Sequence, residues 1–288
     1  MKFGSTETPE LIDFTLPEDH RDTASILKKG KGLMQVYVGC AKWNRQDLKK
    51  FYPRGTKDEL AYYSTQFNSI ELNATFYGNF SEEQIEKWRD KVPDDFKFFP
   101  KVHQRISHLK RLNEVEEFVE YYTAGIRAFK EKMGMVFLQL HDNFKPKNMD
   151  RLEKFCAFWP TDIPISIELR NTEWFNDEEI ANQVYQLFEQ HKITNIITDT
   201  AGRRDLLHMR LTTPTAFVRY VGANHESDWT RMDDWLERIK LWADAGLENL
   251  YFFVHQNLEK ESPLLAASFI EKLNEQFNLT MTVPVRQG

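Results

Sequence analysis

The chain has 288 residues, is 41% hydrophobic and 14% aromatic, and carries a formal net charge of −6. That is enough apolar material for one sizeable core, and the acidic balance argues against a general nucleic-acid-binding surface, so long nucleic acid is not an expected partner. Two cysteines, Cys40 and Cys156, suit no metal spacing, rule out a disulfide scaffold and favour a reducing compartment.

No apolar signal region opens the chain, and no window of about 18 apolar residues occurs. The expectation is a cytoplasmic protein with no membrane contact, in which the Asn-x-Ser/Thr triplets at Asn73, Asn79 and Asn278 are chance matches. Residues 1–32 are polar, contain Pro9 and Pro17, and end in Lys28-Lys-Gly-Lys-Gly32. They read as an N-terminal arm with a short helix near Asp19–Leu27. The lysine run precedes the first strand, which is the wrong side for a phosphate loop.

Residues 33–288 then alternate strand and helix patterns. Strands are expected at Met34–Cys40, from Ser69 on, and at Phe96–Lys101, Met135–Leu140, Ile165–Leu169, Thr194–Thr198, Thr215–Tyr220 and Asn249–Val254. Helices are expected over Glu59–Phe67, from the Ser81-Glu-Glu-Gln84 capping box, from Asn113 to about Lys130, and over Asn148–Phe158. Further helices are expected from Asn176 to about His191, from Thr230 to about Ala245, and from Ser262-Pro263 onward. Eight strand–helix units predict an α/β fold, a single-domain (β/α)8 TIM-barrel-like architecture. A doubly wound sheet is disfavoured because no Gly-x-Gly-x-x-Gly follows the first strand.

In such a barrel the site lies at the C-terminal ends of the strands. Polar residues gather there: Trp43 after strand one; Glu71, Asn73, Thr75 and Tyr77 around strand two; Lys101, with His103 and His108, after strand three; Gln139 and His141 on and after strand four. Glu168 and Arg170, with Trp174, follow on strand five, Asp199 on six, Arg219 on seven and His255 on eight. Ser69-Ile-Glu-Leu-Asn-Ala-Thr-Phe-Tyr77 stands out, because a carboxylate inside an apolar strand is costly unless paired. Glu168 and Arg170 are two apart and share a face, as a buried ion pair or as ligand contacts. Trp43 and Trp174 are more often packing residues, although flat aromatic walls suit a sugar ring or base.

Several of these segments together resemble the DUF72, or YecE-like, family. They include Tyr37-Val-Gly-Cys-Ala-Lys-Trp43, Phe67-Asn-Ser-Ile-Glu-Leu-Asn-Ala-Thr-Phe-Tyr77, Val92-Pro-Asp-Asp-Phe-Lys-Phe98 and Ile106-Ser-His108. Leu138-Gln-Leu140, Ile167-Glu-Leu-Arg170 and Val218-Arg-Tyr220 extend the likeness across residues 34–275. The resemblance implies a TIM-barrel-like fold and no defined activity or cofactor. It carries over to Glu71, Asn73, Thr75, Tyr77, Lys101, His108, Gln139, Glu168, Arg170, Asp199 and Arg219. The chain departs from the family at His141-Asp142-Asn143, Asn171, Val221-Gly222 and His255-Gln256-Asn257, so His141 and His255 are its own.

Three functions compete. The first is an enzyme for a small anionic or sugar-like, phosphorylated ligand, held by Lys101, Arg170 and Arg219, with Glu71 or Glu168 moving a proton and Tyr77 and His108 polarising. Asn73, Thr75, Gln139, Asp199, Trp43 and Trp174 would complete its ligand contacts. The second is a metal-dependent sugar-isomerase-like or phosphodiesterase-like barrel using Glu71, Glu168, Asp199 and a histidine. The third is a non-enzymatic module for a metabolite or nucleic-acid end. The first is the expectation, because the arginines and lysine already neutralise the carboxylates.

Overall fold

The structure, a computed structural model, describes residues 4–285. The arm contains α1 (Thr23–Leu27). Then come β1 (Gln35–Cys40), α2 (Glu59–Gln66), β2 (Ser69–Leu72), the single-turn α3 (Ala74–Tyr77), α4 (Glu82–Arg89) and β3 (Lys97–Pro100). A π turn over Arg105–Leu109 precedes α5 (Glu116–Ile126), β4 (Val136–Gln139), α6 (Met149–Phe158) and β5 (Ile165–Glu168). The chain continues through α7 (Glu178–Gln190), β6 (Thr194–Thr200), a 3-10 segment Ala201–Leu206, β7 (Thr215–Gly222), α8 (Ser227–Ala245), β8 (Asn249–Gln256) and α9 (Ser262–Phe277).

Two helix starts are capped by side chains as the sequence leads one to expect. Asp58 accepts from the Ala61 amide at 3.0 Å to open α2, and Ser81 accepts from Gln84 at 3.3 Å to open α4. Three starts differ from the sequence expectation. Asp177, one residue past Asn176, accepts from the amides of Glu179 and Ile180 and caps α7. Helix α5 begins at Glu116, three residues past Asn113, because Arg111, Leu112 and Glu114 hold left-handed backbone that no helix can include. Helix α8 begins at Ser227, before Thr230, where the Asp228 carboxylate collects the amides of Ala223 and His225. It ends at Gly246, whose φ of 112° is the left-handed cap that a glycine adopts without strain.

All strand pairs are parallel, but the ladder is not one continuous barrel. Six strands run in the order β1-β8-β7-β6-β5-β4, and β2 pairs with β3 alone. The expected closed eight-stranded barrel is thus present as a curled six-stranded sheet plus a separate pair. Isolated bridges Phe98–Met133 and Lys101–Phe137 link β3 to the β4 side. Between β1 and β2 side chains replace rungs: Asn68 donates to Val36 O at 2.8 Å and accepts from Val38 N at 3.0 Å. The Tyr63 hydroxyl accepts from Cys40 N and donates to Ser69 O. The strands come close at Gly39, where a glycine is required because a Cβ would stand 2.2 Å from the Ser69 carbonyl oxygen.

Helices cover the outer faces, so both faces of most strands are apolar. The outer core runs from Ile26 through Leu273. A second cluster, Phe99, Met135, Phe137, Ile196, Phe217 and Phe253, draws on both sheets and fills the space they enclose. Phe99 lies 4.8 Å from Phe253 and 5.9 Å from Phe217, ring to ring. The polar residues described next stand above this aromatic plug.

Among the described residues no helix is long and apolar enough to cross a membrane. The arm runs along the outside of the sheet and helices. Gly4 O accepts from Thr200 Oγ1 and Gly202 N, Asp19 accepts from Arg238 and from Trp242 Nε1, and Gly30 packs on Gly246.

Candidate functional site

Pleating decides which polar residues meet. In register, Glu71 lies beside Phe99, Lys101 beside Phe137, Gln139 beside Glu168, and Arg219 beside Phe253, so each shares the inner face with the aromatic plug. Arg219 then bridges the two sheets. Its Nε and Nη2 donate to the two oxygens of Glu71 at 2.9 Å each, and Nη1 donates to Glu168 Oε2 at 2.7 Å. Arg170 Nε donates to Glu168 Oε1 at 2.7 Å, and Gln139 Nε2 to Glu168 Oε2 at 2.8 Å. Lys101 Nζ donates to Gln139 Oε1 at 2.9 Å, Asn73 Nδ2 donates to Glu71 Oε1 at 2.8 Å, and His255 Nε2 lies 2.9 Å from Glu71 Oε2. One bonded network therefore joins side chains from β2, β4, β5, β7 and β8 and the residue that follows β3.

The charges set each other's state. Burial alone would raise the Glu71 carboxyl, but Arg219 and then His255 overcome it and hold it well below the usual carboxylate range. Burial likewise opposes ionisation of Glu168, and Arg170 and Arg219 prevail, so it too is held low. Arg219 loses by burial and gains more from both carboxylates, so it stays firmly charged. Lys101 is the exception. Burial first, then the nearby Arg219 charge, brings its amine down to about 7. Its Nζ lies 4.4 Å over the Phe76 ring, and the His108 ring packs on the same phenyl at 4.8 Å. Burial, and next the Lys101 charge, push His108 down to about 4.

A cleft of about 350 Å³ opens beside this network, within the range of small-molecule pockets. Glu71 and Asn73 reach it from below, Trp43 and Tyr77 stand on its sides, and Lys42, Asn44 and Asp47 add polar edges. Tyr77 is 73% exposed, and Trp43 rests edge-on against Trp88 at 5.7 Å.

The structure leaves other candidate residues outside the network. Asp199 pairs with Tyr220, and its neighbour Ile197 belongs to the outer core, so its side chain points towards α8. There it accepts from Arg231 Nη2 at 2.9 Å, from Trp235 Nε1 at 2.7 Å, and from Arg204. Trp174 is fully buried, donates to Phe144 O and stacks on the Phe144 ring. The Thr75 hydroxyl holds the Leu72 and Lys101 carbonyls, a scaffolding contact that fixes where Lys101 leaves its strand. His141 lies 5.3 Å from the His108 ring, at the edge of the group. The residue that sequence reasoning undervalued is His255. Its signal was its position directly after the β8 apolar run, two residues past Phe253 on the same face.

Fold and site together define a class: a parallel α/β protein with a charge-balanced polar network at the C-terminal ends of its strands. The chain belongs to the family described as "Protein of unknown function DUF72", which matches residues 37–287. The UPF0759 protein YecE of Escherichia coli K12 is 24% identical over 268 residues, covering 86% of this chain and 96% of that protein. The UPF0759 protein YunF of Bacillus subtilis is 29% identical over 151 residues, 49% of this chain and 52% of that one. Among solved structures, a DUF72 family protein of Thermotoga maritima matches with a TM-score of 0.70 at 24% identity, over 83% of this chain and 99% of that one. One from Enterococcus faecalis matches with a TM-score of 0.67 at 18% identity, over 88% and 99%.

Proposed function

We propose that the protein is an enzyme that binds a small polar substrate, sugar-like or phosphorylated, at the mouth of a TIM-like barrel. The observation that carries this is the convergence of Glu71, Asn73, Lys101, Gln139, Glu168, Arg170, Arg219 and His255 into one bonded network beside an aromatic-walled cleft. Buried charges are costly, and a fold with no ligand to meet would do as well with apolar residues there. In this reading the two sheets act as one barrel, as the side-chain rungs at β1–β2, the bridges at β3–β4 and the shared aromatic plug support.

The pairing refines the roles. Arg219 gives its donors to Glu71 and Glu168, so it positions them, and contact with a substrate anion is assigned to Lys101 and Arg170 beside them. Ionised and held low, Glu71 and Glu168 suit accepting hydrogen bonds from substrate hydroxyls better than moving protons at neutral pH. Lys101 and the neutral His108 are better placed for proton transfer. Trp43 and Tyr77 offer flat faces to a ring. The metal-dependent alternative draws less support. Among the described residues no group of three or more His, Cys, Asp or Glu side chains is disposed to hold a metal ion. Both carboxylates of the network are also already tied to guanidinium groups.

The test is a thermal-shift and calorimetric titration against free sugars, sugar phosphates, Mg²⁺, Mn²⁺, Zn²⁺ and a short single-stranded oligonucleotide. A sugar or sugar phosphate at one hundred times its Kd is expected to add about 2.7 kcal/mol to stability, and Asn73→Ala with Arg170→Ala to remove that gain. A shift by metal alone, or by the oligonucleotide with steep salt dependence, would replace this reading with one of the others.

A further inference from the structure

We propose that Lys101 is a nucleophile that condenses with the carbonyl of a small aldehyde or ketone substrate and holds it as an iminium at the strand ends. This rests on the reading above and names its substrate class. The geometry begins with what Lys101 lacks. It is 7% exposed, and among the described residues its Nζ hydrogen-bonds a neutral acceptor alone, Gln139 Oε1. No carboxylate of the described residues comes within 4.0 Å of that nitrogen. The other strand-end cations are matched: Arg219 with Glu71 and Glu168, and Arg170 with Glu168. A buried ammonium with no carboxylate in contact is a poor structural element, whereas a buried amine that can shed its proton is a nucleophile.

The surroundings favour that state. The rings of Phe76, centred 4.4 Å from Nζ, and Phe137, centred at 5.8 Å, keep water from the amine. Their faces also attract a cation, so the neutral form is favoured by the loss of water and by Arg219 against that pull. The charged groups that act on it are Arg219 from β7, Glu71 from β2, Glu168 from β5 and Arg170 just after it; burial and Arg219 dominate and bring it to about 7. His108, from the π turn, shares the Phe76 ring with the amine and stays a neutral imidazole at that pH, able to relay protons. The Lys101 lone pair attacks the carbonyl carbon while the carbonyl oxygen takes a proton and the nitrogen sheds one, giving a carbinolamine. Its hydroxyl then leaves with a proton as water, and the nitrogen lone pair forms the C=N bond. Amine, carbonyl and one proton drawn from solvent thus yield iminium and water, with no oxidant or reductant. Ionised Glu71 and Glu168, which act on this nitrogen from beyond contact distance, stabilise the positive charge that results.

The full chain is incubated with glycolaldehyde at pH 7.5 and treated with sodium borohydride, whose hydride reduces the iminium to a stable secondary amine. Intact mass and peptide mapping then locate the label. Lys101 is expected to be labelled at least about tenfold faster than any other lysine, since ordinary lysines titrate near 10.4. The rate should reach half its maximum near pH 7, and the label should vanish from this peptide in Lys101→Arg, whose fold is checked by its melting temperature. Label spread over surface lysines with Lys101 unmodified overturns the proposal, and so does unchanged labelling of the same peptide in Lys101→Arg. A sugar phosphate that raises the melting temperature without any trapped adduct overturns the iminium alone; neither shift nor adduct overturns the substrate reading as well.

Discussion

Glu71, Arg219 and Glu168 form a carboxylate–guanidinium–carboxylate triad in which each side chain is at most 6% exposed. Removing its centre leaves two buried carboxylates facing each other, so Arg219→Ala is expected to cost about 3–5 kcal/mol at pH 7. The sign of its pH dependence follows from the depressed carboxyls. A group whose folded pKa lies below its unfolded value of about 4.3 stabilises the fold above that value, and the gain is lost as pH falls through the folded value. Wild type should therefore lose stability below about pH 5. Arg219→Ala, whose carboxyls protonate more readily, should lose less, so the gap between them narrows from pH 7 to pH 3. Urea denaturation at both values reads this, and a gap that stays constant would show that the triad is not the source.

At the scale of elements, the β1–β2 seam is the feature that no strand pattern announces. Asn68 supplies by its side chain the rungs that the two backbones do not make. Asn68→Ala leaves Val38 N and Val36 O without those partners in a mostly buried place. The expected cost is about 1–3 kcal/mol in denaturant titration, with faster amide hydrogen exchange confined to β1 and β2. Unchanged exchange along β1 would mean that the seam is held otherwise. The helix starts teach a related point. Asn113, Asn176 and Thr230 are good capping residues by type, yet the helices open at Glu116, Glu178 and Ser227. Several polar residues in a row all satisfy the capping rule, and which one caps depends on how the preceding loop arrives.

At the scale of the molecule, the arm ties the strand ends to α8. Asp19 accepts from Arg238 at 2.6 Å and from Trp242 at 2.9 Å, and Phe14 lies under Arg231 and Arg204, the partners of Asp199. Asp19→Ala removes two hydrogen bonds, one of them to a charged donor, and is expected to cost roughly 1–3 kcal/mol. Limited proteolysis should then cut the arm before the body. Simultaneous loss of both would show that the arm and body unfold as one unit.

The eight strand positions and most helices were legible because periodicity and β-branched or aromatic runs are local properties. The family was legible because its marker segments are contiguous. Glu71, Lys101, Gln139, Glu168, Arg170 and Arg219 could be gathered as strand-end polar residues for the same reason. What one dimension could not supply was the face of each strand. Where helices cover a parallel sheet both faces are apolar, so Ile196 and Ile197 look alike while one joins the inner plug and the other the outer core. That single parity sends Asp199 to Arg231 and brings Arg219 to Glu71. The partners of a buried charge, and with them the low carboxyls and the lowered amine of Lys101, depend on distances between residues far apart in the chain. Sequence alone therefore determined the α/β order and the inventory of polar residues at the strand ends. The folded contacts settle which of them neutralise one another, and they leave Lys101 with no carboxylate of the described residues within 4.0 Å.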